Sequence, residues 1–157
     1  MDIKEKCGIF STYQLNSNNL TEEVVINGLS RLQHRGQDGA GICSIDSNNI
    51  LSNYNTYKKK GLVKEVFNQH TNTNKANICI GHCRYSTSKN NNVLDFNLLH
   101  PVGGVTHLGP FMLVFNGHIP QLDYLSKRLN ITYSYMNDTD FICKYISNST
   151  CESWEDV

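Results

Sequence analysis

Cys7 is the residue whose chemistry depends most on where it stands. Gly8 comes next, then a run that reads as a strand, Ile9-Phe10-Ser11-Thr12-Tyr13. Only Met1-Asp2-Ile3-Lys4-Glu5-Lys6 precede it, mostly charged and too few for an element of their own. Were those residues removed, Cys7 would carry a free α-amine beside its thiol. An α-amine titrates near pH ~8 and a thiol near ~8.5. The amine can then act as general base for its own side chain, the logic of an N-terminal nucleophile. Taken alone, Cys7 reads as a small buried hydrophobe in a first strand. The polar patches farther along the chain reverse that preference.

These patches carry polar groups in unusual company. Leu32-Gln33-His34-Arg35-Gly36-Gln37-Asp38-Gly39-Ala40-Gly41-Ile42 packs three glycines into six residues, which forces a tight turn or a close backbone approach. In Ile78-Cys79-Ile80-Gly81-His82-Cys83-Arg84-Tyr85-Ser86-Thr87, strand alternation puts 78, 80, 82 and 84 on one face and 79, 81 and 83 on the other. His82 then points away from Cys79 and Cys83, and no second Cys pair with metal spacing is present, which argues against zinc. Arg84 suits a carboxylate, because a planar guanidinium can grip it through two parallel hydrogen bonds. The plain alternative is a surface salt bridge, worth little. Asn116-Gly117 reads by itself as a hairpin turn. It stands, however, between an apolar strand pattern, Phe111–Phe115, and a helical one opened by Pro120. An Asn amide and a Gly N–H in that place fit an oxyanion site better. Asp138 fits an N-cap.

Positioning these groups requires a first strand from Gly8, then an amphipathic helix over 21–34. Thr21 is its expected cap, Glu22 and Glu23 face its positive end, and Leu20, Val24, Val25, Leu29 and Leu32 recur at helical spacing. A hairpin comes after it, with strands at 40–46 and 50–57. Lys58-Lys59-Lys60 reads as a solvated rim. A short helix is expected over 61–67 with Leu62, Val63, Val66 and Phe67 inward. Residues 68–77 and 88–98 read as polar loops. Asn137–Asp140 opens the last helix, with Phe141, Ile142, Tyr145 and Ile146 inward.

The chain has 157 residues, enough for one core, with 14 basic and 14 acidic side chains. That balance argues against a nucleic-acid partner, which needs a basic excess on one face. No apolar run approaches the ~18 residues of a membrane span, and the N-terminus lacks a signal-peptide core. A cytoplasmic protein with free thiols at its six cysteines is the expectation.

The Cys-Gly-Ile-Phe and Leu-Gln-His-Arg-Gly-Gln-Asp-Gly-Ala-Gly patches together resemble a class II glutamine amidotransferase domain. The wording of the second is closest to the glutaminase domain of the amidophosphoribosyltransferases of purine synthesis. Gly81-His82-Xaa-Arg84-Tyr85-Ser86-Thr87 is similar to that family's carboxylate-binding motif. His100-Pro101 stands where the family often has Gln-Pro. Phe115 and His118 flank Asn116-Gly117 where the family usually has His and Asn.

The resemblance implies an α+β N-terminal nucleophile hydrolase fold: an αββα sandwich of two stacked antiparallel sheets, truncated at the C-terminus. Residues 1–6 would be a cleaved leader and 7–157 a partial domain. It implies a glutaminase that forms glutamate and ammonia through a Cys7 thioester. Asn116 and Gly117 would hold the oxyanion. Arg84, with Tyr85 and Thr87 nearby, would hold the substrate α-carboxylate, and Asp138 the α-amine. Arg35 would order the glycine-rich loop over the pocket. L-glutamine is the expected ligand, with no cofactor and no metal. A synthase domain or partner chain would use the ammonia, and a homo-oligomer is compatible with all of this. Other readings stay open. One is a non-catalytic glutamine-binding or regulatory module that keeps its leader. Another is an amide hydrolase of the same fold acting on something else. A third is a fragment lacking the phosphoribosyltransferase domain.

Overall fold

The computed structural model of the chain describes residues 7–49, 53–71, 75–85, 98–132 and 138–157. The elements, in chain order, are β1 (Gly8–Asn18), α1 (Thr21–Arg31), a 3-10 turn (Gln33–Arg35), β2 (Gly39–Ile45), β3 (Asn55–Lys60), α2 (Val63–Val66), β4 (Ala76–Arg84), β5 (Val102–Thr106), β6 (Gly109–Leu113), α3 (Leu122–Leu129) and α4 (Asp138–Ser147). They divide into two compact units, Met1–Pro101 and Val102–Val157. No helix among the described residues is long and apolar enough to cross a membrane.

In the first unit, four antiparallel strands lie in the order β1-β4-β2-β3. The alternation expected along β4 organises it. Cys79 and Cys83 turn into a buried cluster with Val25 and Leu29 of α1, Ala40 and Ile42 of β2, and Val63, Val66 and Phe67. Each aliphatic side chain so buried contributes about 1.5–3 kcal/mol. Gly81 lets α1 down onto the sheet, since a Cβ there would lie 2.6 Å from Val25 and 2.9 Å from Leu29.

α1 ends at Arg31, short of the expected 34, and the chain tightens into the 3-10 turn. Thr21 is helical and buried rather than a cap, its Oγ1 donating to the Ala76 carbonyl at 2.6 Å. Glu22 is buried too. Its carboxylate accepts from Ser44 Oγ and, at 3.1 Å, from Asn55 Nδ2, and meets His70 Nε2 at 2.6 Å. Leu62 is 39% exposed instead of inward. Of the expected second hairpin strand, residues 50–52 lie outside the described residues and 53–54 are not strand; β3 runs from Asn55 and takes in all three lysines, with Gly41 opposite Lys58. Only Lys59 and Lys60 behave as a solvated rim; Lys58 is half-buried.

In the second unit, β5 and β6 form a hairpin whose turn is closed by Gly109 at φ +122°. β5 has no counterpart in the sequence reading, because Gly103 and Gly104 dilute its strand pattern. Phe111–Phe115 differs from the buried strand its apolar run suggests. The strand ends at Leu113, and the run is half-buried throughout. Ile131, Phe141 and Cys143 are this unit's buried apolar residues among those described.

Candidate active site

Backbone bonds fix Cys7 at the start of β1. Its N–H donates to the Arg35 carbonyl at 2.8 Å, and Arg35 Nε donates to the Cys7 carbonyl, also at 2.8 Å. Cys7 sits at φ +61°, a region that L side chains adopt only when their surroundings hold them there. The Tyr85 N–H points at Cys7 Sγ from 3.3 Å, and the thiol lies 3.8 Å from the Tyr85 carbonyl. Gly8, next to it, packs on Cys83 and Leu32, and a Cβ there would meet Cys83 Sγ at 2.8 Å.

The glycine-rich segment supplies the other wall. Gly36 passes so close to β4 that a Cβ would lie 2.5 Å from the Cys83 carbonyl. The Asp38 N–H donates to the Arg84 carbonyl at 3.0 Å. Gln33 braces the turn, donating to the Gly36 carbonyl through Nε2 and accepting the Val63 N–H at 2.6 Å. Arg84 Nη1 donates to the Leu98 carbonyl at 2.9 Å, and among the described residues its buried Nε has no partner. Burial lowers the Arg84 pKa, and the charges of Cys7 and Asp38 pull it back up.

The structure thus brings together Cys7, Arg35, Arg84 and Tyr85. Tyr85 meets the thiol through its main chain, while its side chain is 41% exposed. Thr87 lies outside the described residues. Asn116, Gly117 and Asp138 belong to the second unit. Asn116 and Gly117 are exposed in the connection from β6 to α3. A Cβ at Gly117 would lie 2.6 Å from the tip of the half-buried Phe115 ring, which has room to turn. The Asp138 carboxylate accepts the Ile119 N–H at 2.7 Å and meets His118 Nδ1 at 3.3 Å, so it ties the start of α4 to the segment before α3. Sequence reasoning misses His118 as a partner of Asp138. It also misses Lys58, whose Nζ donates to the Leu99 and Pro101 carbonyls, both at 2.8 Å. The signal for Lys58 is strand alternation through 55–60, hidden by its neighbouring lysines.

No family model matches the chain. Curated relatives and solved structures do. The chain is 35% identical over 136 residues to the amidophosphoribosyltransferase of Methanocaldococcus jannaschii, covering 85% of this chain and 27% of that protein. It is 30% identical over 150 residues to that of Methanothermobacter thermautotrophicus, covering 93% of this chain and 30% of the relative. The glutamine phosphoribosylpyrophosphate amidotransferase of B. subtilis superposes with a TM-score of 0.72 at 25% identity, over 94% of this chain and 30% of that one. The chain therefore spans less than a third of the length of these proteins.

The chain thus has the N-terminal nucleophile hydrolase fold of the glutaminase domain in these structural neighbours. Over most of its length it is similar to the amidophosphoribosyltransferases.

Proposed function

We propose that the chain is a glutaminase, cleaving the side-chain amide of glutamine to glutamate and ammonia. The observation that carries this is the setting of Cys7: its thiol meets the Tyr85 N–H while its own nitrogen is held on the Arg35 carbonyl. After loss of residues 1–6 that nitrogen is an amine, and the Arg35 carbonyl keeps it oriented beside the sulfur. The amine takes the thiol proton, and the thiolate attacks the amide carbon, pushing an electron pair onto the oxygen. Asn116 Nδ2 and the Gly117 N–H stabilise that oxyanion. The intermediate collapses to a thioester, and the leaving nitrogen takes the proton back and departs as ammonia. Water, deprotonated by the same amine, hydrolyses the thioester and restores the thiol.

Arg84, with Tyr85 and Thr87 beside it, receives the α-carboxylate, and Asp138 the α-ammonium. A synthase domain or partner chain uses the ammonia, a reading supported by the relatives' name, amidophosphoribosyltransferase. The process is purine synthesis, named for a structural neighbour, and its place in this reading is the cytoplasm.

The test is a glutaminase assay with intact-mass measurement on the same sample. The expected species begins at Cys7, and Cys7→Ala forms no glutamate. A chain that keeps Met1–Lys6 and hydrolyses glutamine at full rate would overturn the amine as base. One that keeps them and only binds glutamine would be a regulatory module.

A further inference from the structure

On the face of the sheet opposite α1, Lys58, Gly41 and His82 stand side by side on β3, β2 and β4, Gly41 being opposite both of the others. Residues 98–101 lie across this row as a strap. The His100 carbonyl occupies the room left by Gly41, where a Cβ would come within 2.2 Å of it. The His100 ring rests on the His82 ring, centroids 4.4 Å apart. Lys58 Nζ reaches the strap from the third strand and holds the Leu99 and Pro101 carbonyls at 2.8 Å each. Leu99 and His100 are 1% and 5% exposed, so the strap is core, not surface.

Holding a cation under a buried segment is costly, and a packed apolar side chain would serve stability as well. What the cation adds is a fixed direction for the strap's carbonyls. The residue before Leu99 carries the carbonyl that receives Arg84 Nη1 at 2.9 Å. We propose that Lys58 is a positioning residue: it locks strap 98–101, and the Leu98 carbonyl thereby aims the Arg84 guanidinium at the carboxylate of the substrate. This rests on the proposed function, in which Arg84 receives that carboxylate. With one Nη1 hydrogen committed to Leu98, the remaining donors of the fork have a set orientation. Without the lock the fork turns about the end of its chain, and a bidentate grip degrades to a point charge.

The test compares the wild-type chain with Lys58→Met, Lys58→Arg and Gly41→Ala. Two readouts are used: glutamine KM and kcat, and the NMR signal of the Arg84 Nε–H with and without L-glutamine. Lys58→Met is expected to raise KM about 10-fold, the scale of losing a partner that orients a binding group, with kcat within about twofold. Its Arg84 Nε–H signal shifts and exchanges faster with water. Lys58→Arg restores part of the KM. Gly41→Ala, whose methyl would lie 2.2 Å from the His100 carbonyl and 2.5 Å from Lys58 Cβ, displaces strap and lysine together and reproduces the Met phenotype. An Arg84 signal unmoved in Lys58→Met overturns the positioning role whatever the activity. A moved signal with unchanged KM shows that Arg84 does not hold the carboxylate and overturns the proposal through its premise. Wild-type protein whose Arg84 signal ignores L-glutamine fails that premise directly.

Discussion

The two units hold their candidate residues by different means. In the first, Val25, Leu29, Ile42 and Val63 are wholly buried, and the strands and turn that meet Cys7 are tied to that core. In the second, α3 buries no residue, Asn116 and Gly117 are exposed, and the Asp138 carboxylate accepts the Ile119 N–H from beyond α3. The thiol side is thus placed by a packed core, and the amide side stands on exposed or half-buried residues. A substitution far from Cys7 in the first unit should then cost stability. One at Asn116 should cost turnover and little else.

The largest contrast expected is in thiol chemistry. Burial pushes the thiols of Cys43, Cys79 and Cys83 up, most of all Cys79. The thiolate is the nucleophile, so a raised pKa leaves less of it at neutral pH and slows alkylation. Cys151, in the second unit, is half-buried. Timed alkylation with peptide mass analysis should modify Cys7 and Cys151 in native protein, and the three core thiols only after denaturant. Native-state modification of Cys79 at the pace of Cys151 would erase the distinction between the cores.

Next in size is Glu22→Ala. It removes the buried carboxylate shared by Ser44, Asn55 and His70 and leaves the buried Ser44 hydroxyl and the half-buried Asn55 and His70 without that acceptor. Breaking a buried charged partner in this way costs about 3–5 kcal/mol. Urea unfolding monitored by fluorescence should show it as a lower midpoint with an unchanged slope. A loss below about 1 kcal/mol would mean that water already reaches the cluster.

Asn116→Ala is expected to lower glutamine turnover about 100- to 1,000-fold, equivalent to about 2.7–4 kcal/mol of transition-state stabilisation. Its urea midpoint should stay at the wild-type value, since Asn116 is exposed. A midpoint that falls with the activity would assign the residue to the fold instead.

Legibility in the sequence divides along the same line. Alternation along β4 puts Cys79 and Cys83 inward and His82 and Arg84 outward, because each side chain on a strand has only two sides to choose from. Cys7, Arg35 and Arg84 stand out in the sequence because Gly8, Gly36 and Gly81 lie close to them, and the structure uses those glycines for close packing on Cys83, β4 and α1. Lys58 is not, because a lysine run carries the same letters whether or not one member is turned under a strap that arrives about forty residues later in the chain. Nor is Glu22 as a core residue: its partners lie on β2, β3 and beyond α2, and helix-end electrostatics explain it equally well from sequence. The strand hidden from sequence, β5, gains its partner only through the turn at Gly109.

The smallest effects come from a matched pair of glycines, which probes the contrast between the units most directly. In Gly81→Ala the new methyl would lie 2.6 Å from Val25, 2.9 Å from Leu29 and 3.3 Å from Ile42, all wholly buried. None can move without opening the core, so overpacking should cost about 1–3 kcal/mol. In Gly104→Ala it would meet Ser147 Oγ at 2.6 Å and the Phe111 ring at 2.8 Å. Ser147 and Phe111 are half-buried, with room to turn toward solvent. The loss there should stay under about 1 kcal/mol, with entropy recovered from the unfolded chain offsetting part of it. Urea midpoints for the two variants measure how firmly each unit holds its shape. Equal losses would mean that the second unit is packed as tightly as the first, and that the amide side too is placed by a packed core.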